Sequence, residues 1–320
     1  MQGASHKETI TTPSVNFIQD DCAEQLNRIW ETDFPENQHS DATSPSIEDK
    51  IALKFVEKNT SKQGSHFQIG MPWRTHKNCI PNNKVVAEKR LSYLKRKLQS
   101  NSDLHIKYTG AIQDYLDSGY AISLPPDAPD PPTGVWYIPH HGVLNPNKPK
   151  LRVVFDCAAS FQGKSLNDHL YQGPDLMSSL VGILARFREK PVALAADIKA
   201  MFSQVLVQPS DQDLQRFLWF PDGNLDLPPQ RYVMTRHIFG ATSSPFIAAY
   251  ALQESALQTQ DEHTKLAIKS DFYVDDLLTS CDSTNQAAPT QSKLTASSPS
   301  KPFQSALMPP LTCTTMNMST

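Results

Sequence analysis

The stretch that most constrains this chain is Phe272-Tyr273-Val274-Asp275-Asp276-Leu277-Leu278-Thr279-Ser280. Two adjacent carboxylates stand between short apolar, β-prone runs, which predicts a hairpin with the polar pair at its turn. Side chains alternate faces along a strand, so neighbouring aspartates can share one site only where the chain turns. Like charges held that close repel unless a cation neutralises them, and a divalent metal is the natural partner. An isolated Asp-Asp pair is better read as a solvated turn. A second stretch upstream changes the reading.

Pro191 to Ala196 predicts a buried strand that ends on Asp197. Beyond it the pattern predicts a short helix capped by Ser210 and running through Gln215, then strands at Phe217 to Phe220 and Arg231 to Thr235. Ser244-Pro245 then starts a helix over Phe246 to Leu257, ahead of the Asp275 hairpin. This alternation suits an α+β fold, an antiparallel sheet backed by helices on one face. If the Asp197 strand lies beside the hairpin, Asp197, Asp275 and Asp276 converge at one edge. Three carboxylates can hold two divalent ions and clamp the oxygens of an in-line phosphoryl transfer. Lys148, Lys150 and Arg152 could supply the cations a triphosphate needs.

At 320 residues the chain can hold one large or two ordinary domains. Its formal net charge of -3 hides a local asymmetry: between Arg74 and Lys107 nine basic residues face only Glu88 and Asp103. That is the footprint of a surface meeting polyanions, and equally of a solvated helix face. The five cysteines, Cys22, Cys79, Cys157, Cys281 and Cys313, have no zinc or disulfide spacing and point to a reducing compartment. With a polar N-terminus and no long apolar run, the expectation is an intracellular, cytoplasmic protein without a membrane partner.

Residues 1–45 read as a weakly ordered lead-in with one helical phrase, Leu26 to Trp30. A helical region follows over 46–124. Ser46 caps its first helix, Gln63-Gly64 to Trp73 reads as a hairpin arm, and Val85 to Leu98 and Leu104 to Leu116 are amphipathic, with Gly119 closing the last. Asp117-Ser118-Gly119 matches the aspartic-protease tripeptide, but here it ends a helix and reads as a cap. Five prolines within Pro125 to Pro132 form an extended connector. Val135 to Pro139 and Leu151 to Phe155 are predicted as the arms of a hairpin. His140 and His141 face opposite ways on a strand and so read as structural rather than as one metal site. Ser179 to Arg188 is a helix, and 282–320, rich in Ser, Thr and Pro, reads as disordered or aberrant.

The phrases Tyr137-Ile138-Pro139-His140-His141-Gly142-Val143, Leu151-Arg152-Val153-Val154-Phe155-Asp156 and Ser165-Leu166-Asn167-Asp168 come first in chain order. Gly173-Pro174-Asp175-Leu176, Ala196-Asp197-Ile198-Lys199-Ala200-Met201-Phe202, Phe239-Gly240-Ala241-Thr242-Ser243-Ser244-Pro245 and Tyr273-Val274-Asp275-Asp276 follow. Together, and in this order, residues 25 to 281 resemble the reverse transcriptases of BEL/Pao-type LTR retrotransposons. The resemblance implies right-hand polymerase fingers and palm over 125–281, RNA-directed DNA polymerase activity, and Mg²⁺ as a pair of ions, with Mn²⁺ as a substitute. It implies an RNA or DNA template with primer, dNTPs and other domains of the retroelement polyprotein as partners.

Position by position, the resemblance makes Asp197, Asp275 and Asp276 the metal-binding catalytic aspartates. Phe202 matches the aromatic gate against a ribose 2′-hydroxyl, whose plain alternative is a core aromatic. Arg152 matches the fingers arginine that meets the triphosphate, the alternative being a strand salt bridge to Asp156. Lys150, or Lys148 in a shifted loop register, would be a second fingers cation. Phe239-Gly240 occupies the place of a Gln-Gly pair, and Phe239 can keep only a packing role there. After Asp282 the family's remaining palm and its thumb have no counterpart, which reads as a truncated copy. Two other readings remain open: an inactive retroelement remnant that binds nucleic acid or a protein partner, and a metal-dependent nuclease on the same carboxylates.

Overall fold

A reciprocal cap opens the described chain. The Asp49 amide donates to Ser46 Oγ at 3.0 Å and the Ser46 amide to Asp49 Oδ2 at 3.2 Å. This fixes the start of α1 (Ile47–Lys58), as the Ser-x-x-acid spacing predicts. The computed structural model describes residues 45–145, 148–260, 262–283 and 311–317. The expected lead-in with its helix at Leu26 to Trp30, and 284–310 and 318–320 of the expected tail, lie outside the described residues.

After α1 come β1 (Thr60–Gln63) and β2 (His66–Ile69), an antiparallel hairpin. In α2 (Lys84–Gln99) the buried residues Ala87, Leu91, Leu94 and Leu98 recur at helical spacing. The next helix, α3 (Ser102–Asp117), starts at Asn101, whose side chain accepts the Leu104 amide at 2.9 Å. Gly119, at φ +66, donates its amide to the Leu116 carbonyl at 2.9 Å, so Asp117-Ser118-Gly119 is a helix terminus. β3 (Ala121–Ser123) leads into the proline-rich connector. Prolines lack an amide donor, and arginines satisfy this segment's carbonyls: Arg216 Nη1 donates to Pro129 O at 3.0 Å and Arg231 Nη1 to Ala128 O at 2.8 Å.

The following hairpin departs from expectation. Its arms are β4 (His140–Asn145) and β5 (Lys148–Phe155), with His140 opposite Phe155. Val135 to Ile138 is not an arm of it. This segment runs parallel to Arg216, with Trp136 and Ile138 amides donating to the Asp213 and Arg216 carbonyls. Pro139 cannot donate a ladder bond, so the hairpin begins after it. His140 is buried and His141 exposed, as strand alternation requires.

The remaining elements are α4 (Leu180–Phe187), β6 (Val192–Ile198), β7 (Leu206–Val207), α5 (Pro209–Gln212), β8 (Arg216–Trp219), β9 (Gln230–Met234), α6 (Ser244–Gln258), α7 (Glu262–Ser270), β10 (Phe272–Tyr273), β11 (Asp276–Cys281) and β12 (Leu311–Asn317). Ser210 lies inside α5, which starts at Pro209 without a side-chain cap. Among the described residues, seven α-helices and four small sheets make a mixed α+β fold. One core packs α2, α3 and the β4–β5 hairpin with the β3–β9–β8 sheet around Trp136, Trp219, Phe217 and Tyr108. A second backs the sheet β10–β11–β6–β12. In β6, Leu194, Ala196 and Ile198 share the face that meets Ala248, Leu252 and Ala256 of α6 and Ala267 and Ile268 of α7. Asp197 therefore stands on the other face.

Within the tail expected to be disordered, Leu311 to Asn317 form a strand, β12. Residues Leu311 to Asn317 pair antiparallel with Ile198 to Val192 along the whole of β6. The run has little apolar alternation, but its threonines suit a strand and β6 offers an edge. In chain order the sheet reads second, third, first, fourth, the split β-α-β arrangement with α6 and α7 in its first crossover.

Candidate active site

Three carboxylates meet where β6 lies beside the β10–β11 hairpin. Asp197 is the direct partner of Asp276 in the β6–β11 ladder, and Tyr273 pairs with Asp276 across the hairpin. That register leaves Val274-Asp275 as a two-residue turn. Val274 sits at φ +57, a conformation glycine normally supplies and one that strains a β-branched residue. Its side chain packs against the core behind the sheet, which holds the turn in place. The Asp275 carbonyl accepts the Ile198 amide at 2.8 Å and ties the turn to β6. As a result, one carboxylate oxygen from each of Asp197, Asp275 and Asp276 lies within 4.8 Å of the others.

The electrostatic cost of this arrangement falls on Asp276. Partial burial first, and then the charges of Asp275 and Asp197, push its pKa above the usual carboxylate value. Oxygen-only donors, two exposed and Asp275 half-buried, in a crowded anionic cluster fit a hard divalent cation such as Mg²⁺ or Mn²⁺.

Beyond Asp197 the chain turns through Ala200, at φ +51, into a short 3₁₀ segment, Met201–Gln204. This turn brings Phe202 against Phe239, ring centroids 5.6 Å apart and tilted by 57°. Phe239 is 73 % exposed. The two rings border a small cavity of about 160 Å³ whose opposite wall is Val153 and Phe155 of β5. They also border a larger cavity of about 390 Å³ that reaches Val274 and the Gly173–Ser178 segment.

Gly240, named from the motif as a nucleotide contact, is required by the backbone. It adopts φ +117, and a Cβ there would lie 2.6 Å from the Phe155 carbonyl oxygen. Asn167 holds this loop: its amide donates to Gly240 O at 3.1 Å and its Oδ1 accepts the Thr242 amide at 2.9 Å. Sequence reasoning gave Asn167 no role. Its signal was the position of the Ser-Leu-Asn-Asp phrase, whose other members, Ser165 and Asp168, bond to each other.

Of the cations expected to meet a triphosphate, Lys150 is engaged by another carboxylate. Lys150 Nζ pairs with Asp114 Oδ2 of α3 at 2.8 Å. Arg152 is exposed on β5 opposite Val143 and makes no ion pair among the described residues. The expected strand salt bridge between Arg152 and Asp156 is not formed; Asp156 instead accepts from Arg90 at 3.0 Å. The side chain of Lys148 lies outside the described residues. Cys79, Cys157 and Cys281 are free thiols, and burial pushes the Cys157 thiol up to about 12. No described helix is long and apolar enough to cross a membrane.

The chain matches no known family model and no curated protein. Among solved structures it is similar to the foamy viral protease-reverse transcriptase bound to double-stranded DNA, with a TM-score of 0.46 at 16 % identity, covering 89 % of this chain and 42 % of that one. The same viral protein bound to an RNA/DNA hybrid gives 0.44 at 17 % identity, covering 82 % and 31 %. This chain spans less than half the length of either.

Proposed function

We propose that the chain is the fingers and palm of an RNA-directed DNA polymerase of the BEL/Pao retrotransposon type, which joins dNTPs to a primer 3′-hydroxyl on an RNA or DNA template. The observation that carries this reading is the meeting of Asp197, Asp275 and Asp276 at one sheet edge, with Phe202 five residues after Asp197. The proposal makes the three carboxylates the ligands of two Mg²⁺ ions. Ions bound there supply Lewis-acid activation of the primer hydroxyl and neutralise charge on the phosphates.

The chain's own residues position the reactants. Phe202, five residues after Asp197 and braced by Phe239, would be the surface on which a deoxyribose rests and against which a 2′-hydroxyl would press. The strained Val274 turn presents Asp275 and Asp276 together. Arg152, without an acidic partner among the described residues, remains available to a triphosphate. Lys150 would have to exchange Asp114 for one. Free thiols fit a reducing, intracellular compartment, and other segments of a retroelement polyprotein would be natural partners.

Primer extension on an RNA template with Mg²⁺ and then Mn²⁺ tests the proposal beside an Asp275→Asn/Asp276→Asn variant. Extension by the wild type alone supports it. If a folded wild type extends nothing, the active-enzyme reading fails and an inactive nucleic-acid-binding remnant takes its place. Loss of labelled nucleic acid without dNTPs would identify a nuclease instead.

A further inference from the structure

A recess between α2, α3 and β4 belongs to the first core and takes no part in the chemistry proposed above. Arg90, Tyr93, Leu94 and Lys97 stand at helical spacing on one face of α2 and form one wall of a cavity of about 280 Å³. Its floor is apolar and internally satisfied. The Tyr108 hydroxyl donates to His140 Nδ1 at 2.5 Å while His140 Nε2 donates to the Leu218 carbonyl at 2.8 Å. Burial holds the His140 imidazole down to about 4, so the floor is uncharged at neutral pH.

The rim has the opposite character. Arg90 is anchored through Nη2 to Asp156, and Lys97 forms no ion pair among the described residues. His141 stands exposed beside them. Tyr93 is 54 % exposed, with the Arg96 guanidinium 5.4 Å from its ring centroid. An exposed ring and an uncharged apolar floor beneath a cationic rim are what an unpaired base and its phosphate require. A duplex keeps its bases stacked inside and would meet only the rim. The recess, at about 280 Å³, is large enough to take a single base.

We propose that this recess binds one unpaired nucleotide of a single-stranded nucleic acid, the base against Tyr93 and the apolar floor and the phosphate on Arg90 and Lys97. The inference rests on the reading of the chain as a nucleic-acid-binding protein but not on its catalytic competence.

The test is fluorescence anisotropy of the full chain with labelled 12-nucleotide oligo(dT) and oligo(U), and with a blunt duplex of the same length. Tyr93→Ala/Lys97→Glu should weaken binding of both single strands by about tenfold or more, with a shallower salt dependence and a smaller effect on the duplex. Tyr93→Phe should bind as the wild type does, because stacking needs the ring and not the hydroxyl. Both substituted side chains are exposed, and Lys97→Gln provides a milder variant should the charge reversal disturb the fold. Unchanged single-strand binding in Tyr93→Ala/Lys97→Gln would overturn the proposal, as would equal losses for single strand and duplex. The binding assay uses no dNTP and needs no turnover, so a failure of the polymerase reading would leave this result standing.

Discussion

Asp197 and Asp276 are direct partners across the β6–β11 ladder, and both lie on the face of the sheet turned away from α6 and α7. The face is set by packing. Leu194, Ala196 and Ile198 on one strand and Leu277 on the other occupy the helix-backed side, and strand alternation puts the aspartates opposite. A slip of one residue would turn the carboxylates toward the core, so the same apolar positions that hold the sheet together also fix its register.

The crowding of these carboxylates should be measurable as stability. Asp276 has a raised pKa in the folded state, so between its ordinary value of 3.8 and that raised value the folded chain binds more protons than the unfolded one. Its charge therefore opposes folding at higher pH, and the penalty lifts as pH falls through this window. Asp276→Asn should raise Tm at pH 7, with the gap from wild type closing as pH falls to about 4. Added Mg²⁺ or Mn²⁺ should raise the Tm of the wild type but not that of Asp275→Asn/Asp276→Asn. Equal cation responses in the two proteins would remove the metal from the site.

The sequence made the local features legible and hid the non-local ones. The Ser46 cap and the Leu91, Leu94 and Leu98 stripe are encoded by residues close together in the chain and occur where the pattern places them, while the hairpin turn falls one residue early, on Val274-Asp275, with Asp276 already in β11. The joining of Asp197 to the hairpin was legible only as a condition, because strand order is not written in either segment. Val135 to Ile138 has a strand composition but finds its partner at Arg216, far along the chain. Lys150 reads as a free cation until α3 packs on β5 and presents Asp114. The order of β12 comes from the open edge of β6, which the Ser/Thr-rich composition of the tail does not reveal.

Phe202 separates the sugar-gating role from that of an ordinary core aromatic. On the polymerase reading, Phe202→Val should improve the use of a ribonucleotide relative to its deoxyribonucleotide by on the order of tenfold, since removing one steric contact is worth roughly 1–3 kcal/mol. Single-nucleotide incorporation with matched dNTP and rNTP pairs gives the ratio. A purely structural Phe202 would lower both rates together and leave the ratio where it was.

Gly240 and Asn167 act on the same loop with different force. In Gly240→Ala the new Cβ would press on the Phe155 carbonyl from a backbone angle that L-residues avoid. A loss of about 2–4 kcal/mol is expected. Asn167→Ala removes two hydrogen bonds at a partly exposed site and should cost about 1–2 kcal/mol. Urea unfolding of the two variants should reproduce this order. A Gly240→Ala protein as stable as the wild type would mean that the loop does not approach β5 so closely.

The last strand offers a test of how the sheet is completed. β12 pairs with every residue of β6 from Val192 to Ile198, and Thr312 lies opposite Asp197. Removing 311–317 would strip these ladder bonds and leave β6 as a bare edge beside the aspartates. The truncated chain should melt lower, by about 1.5 °C for each kcal/mol lost in a chain of 320 residues. Its Mg²⁺-induced stabilisation should also shrink, because Asp197 would be held from one side only. Hydrogen exchange would locate the effect: the amides of Val192 to Ile198 should lose protection while those of β8 and β9, in the other core, keep theirs. Unchanged protection along β6 would show that β12 adds nothing to the strand carrying Asp197.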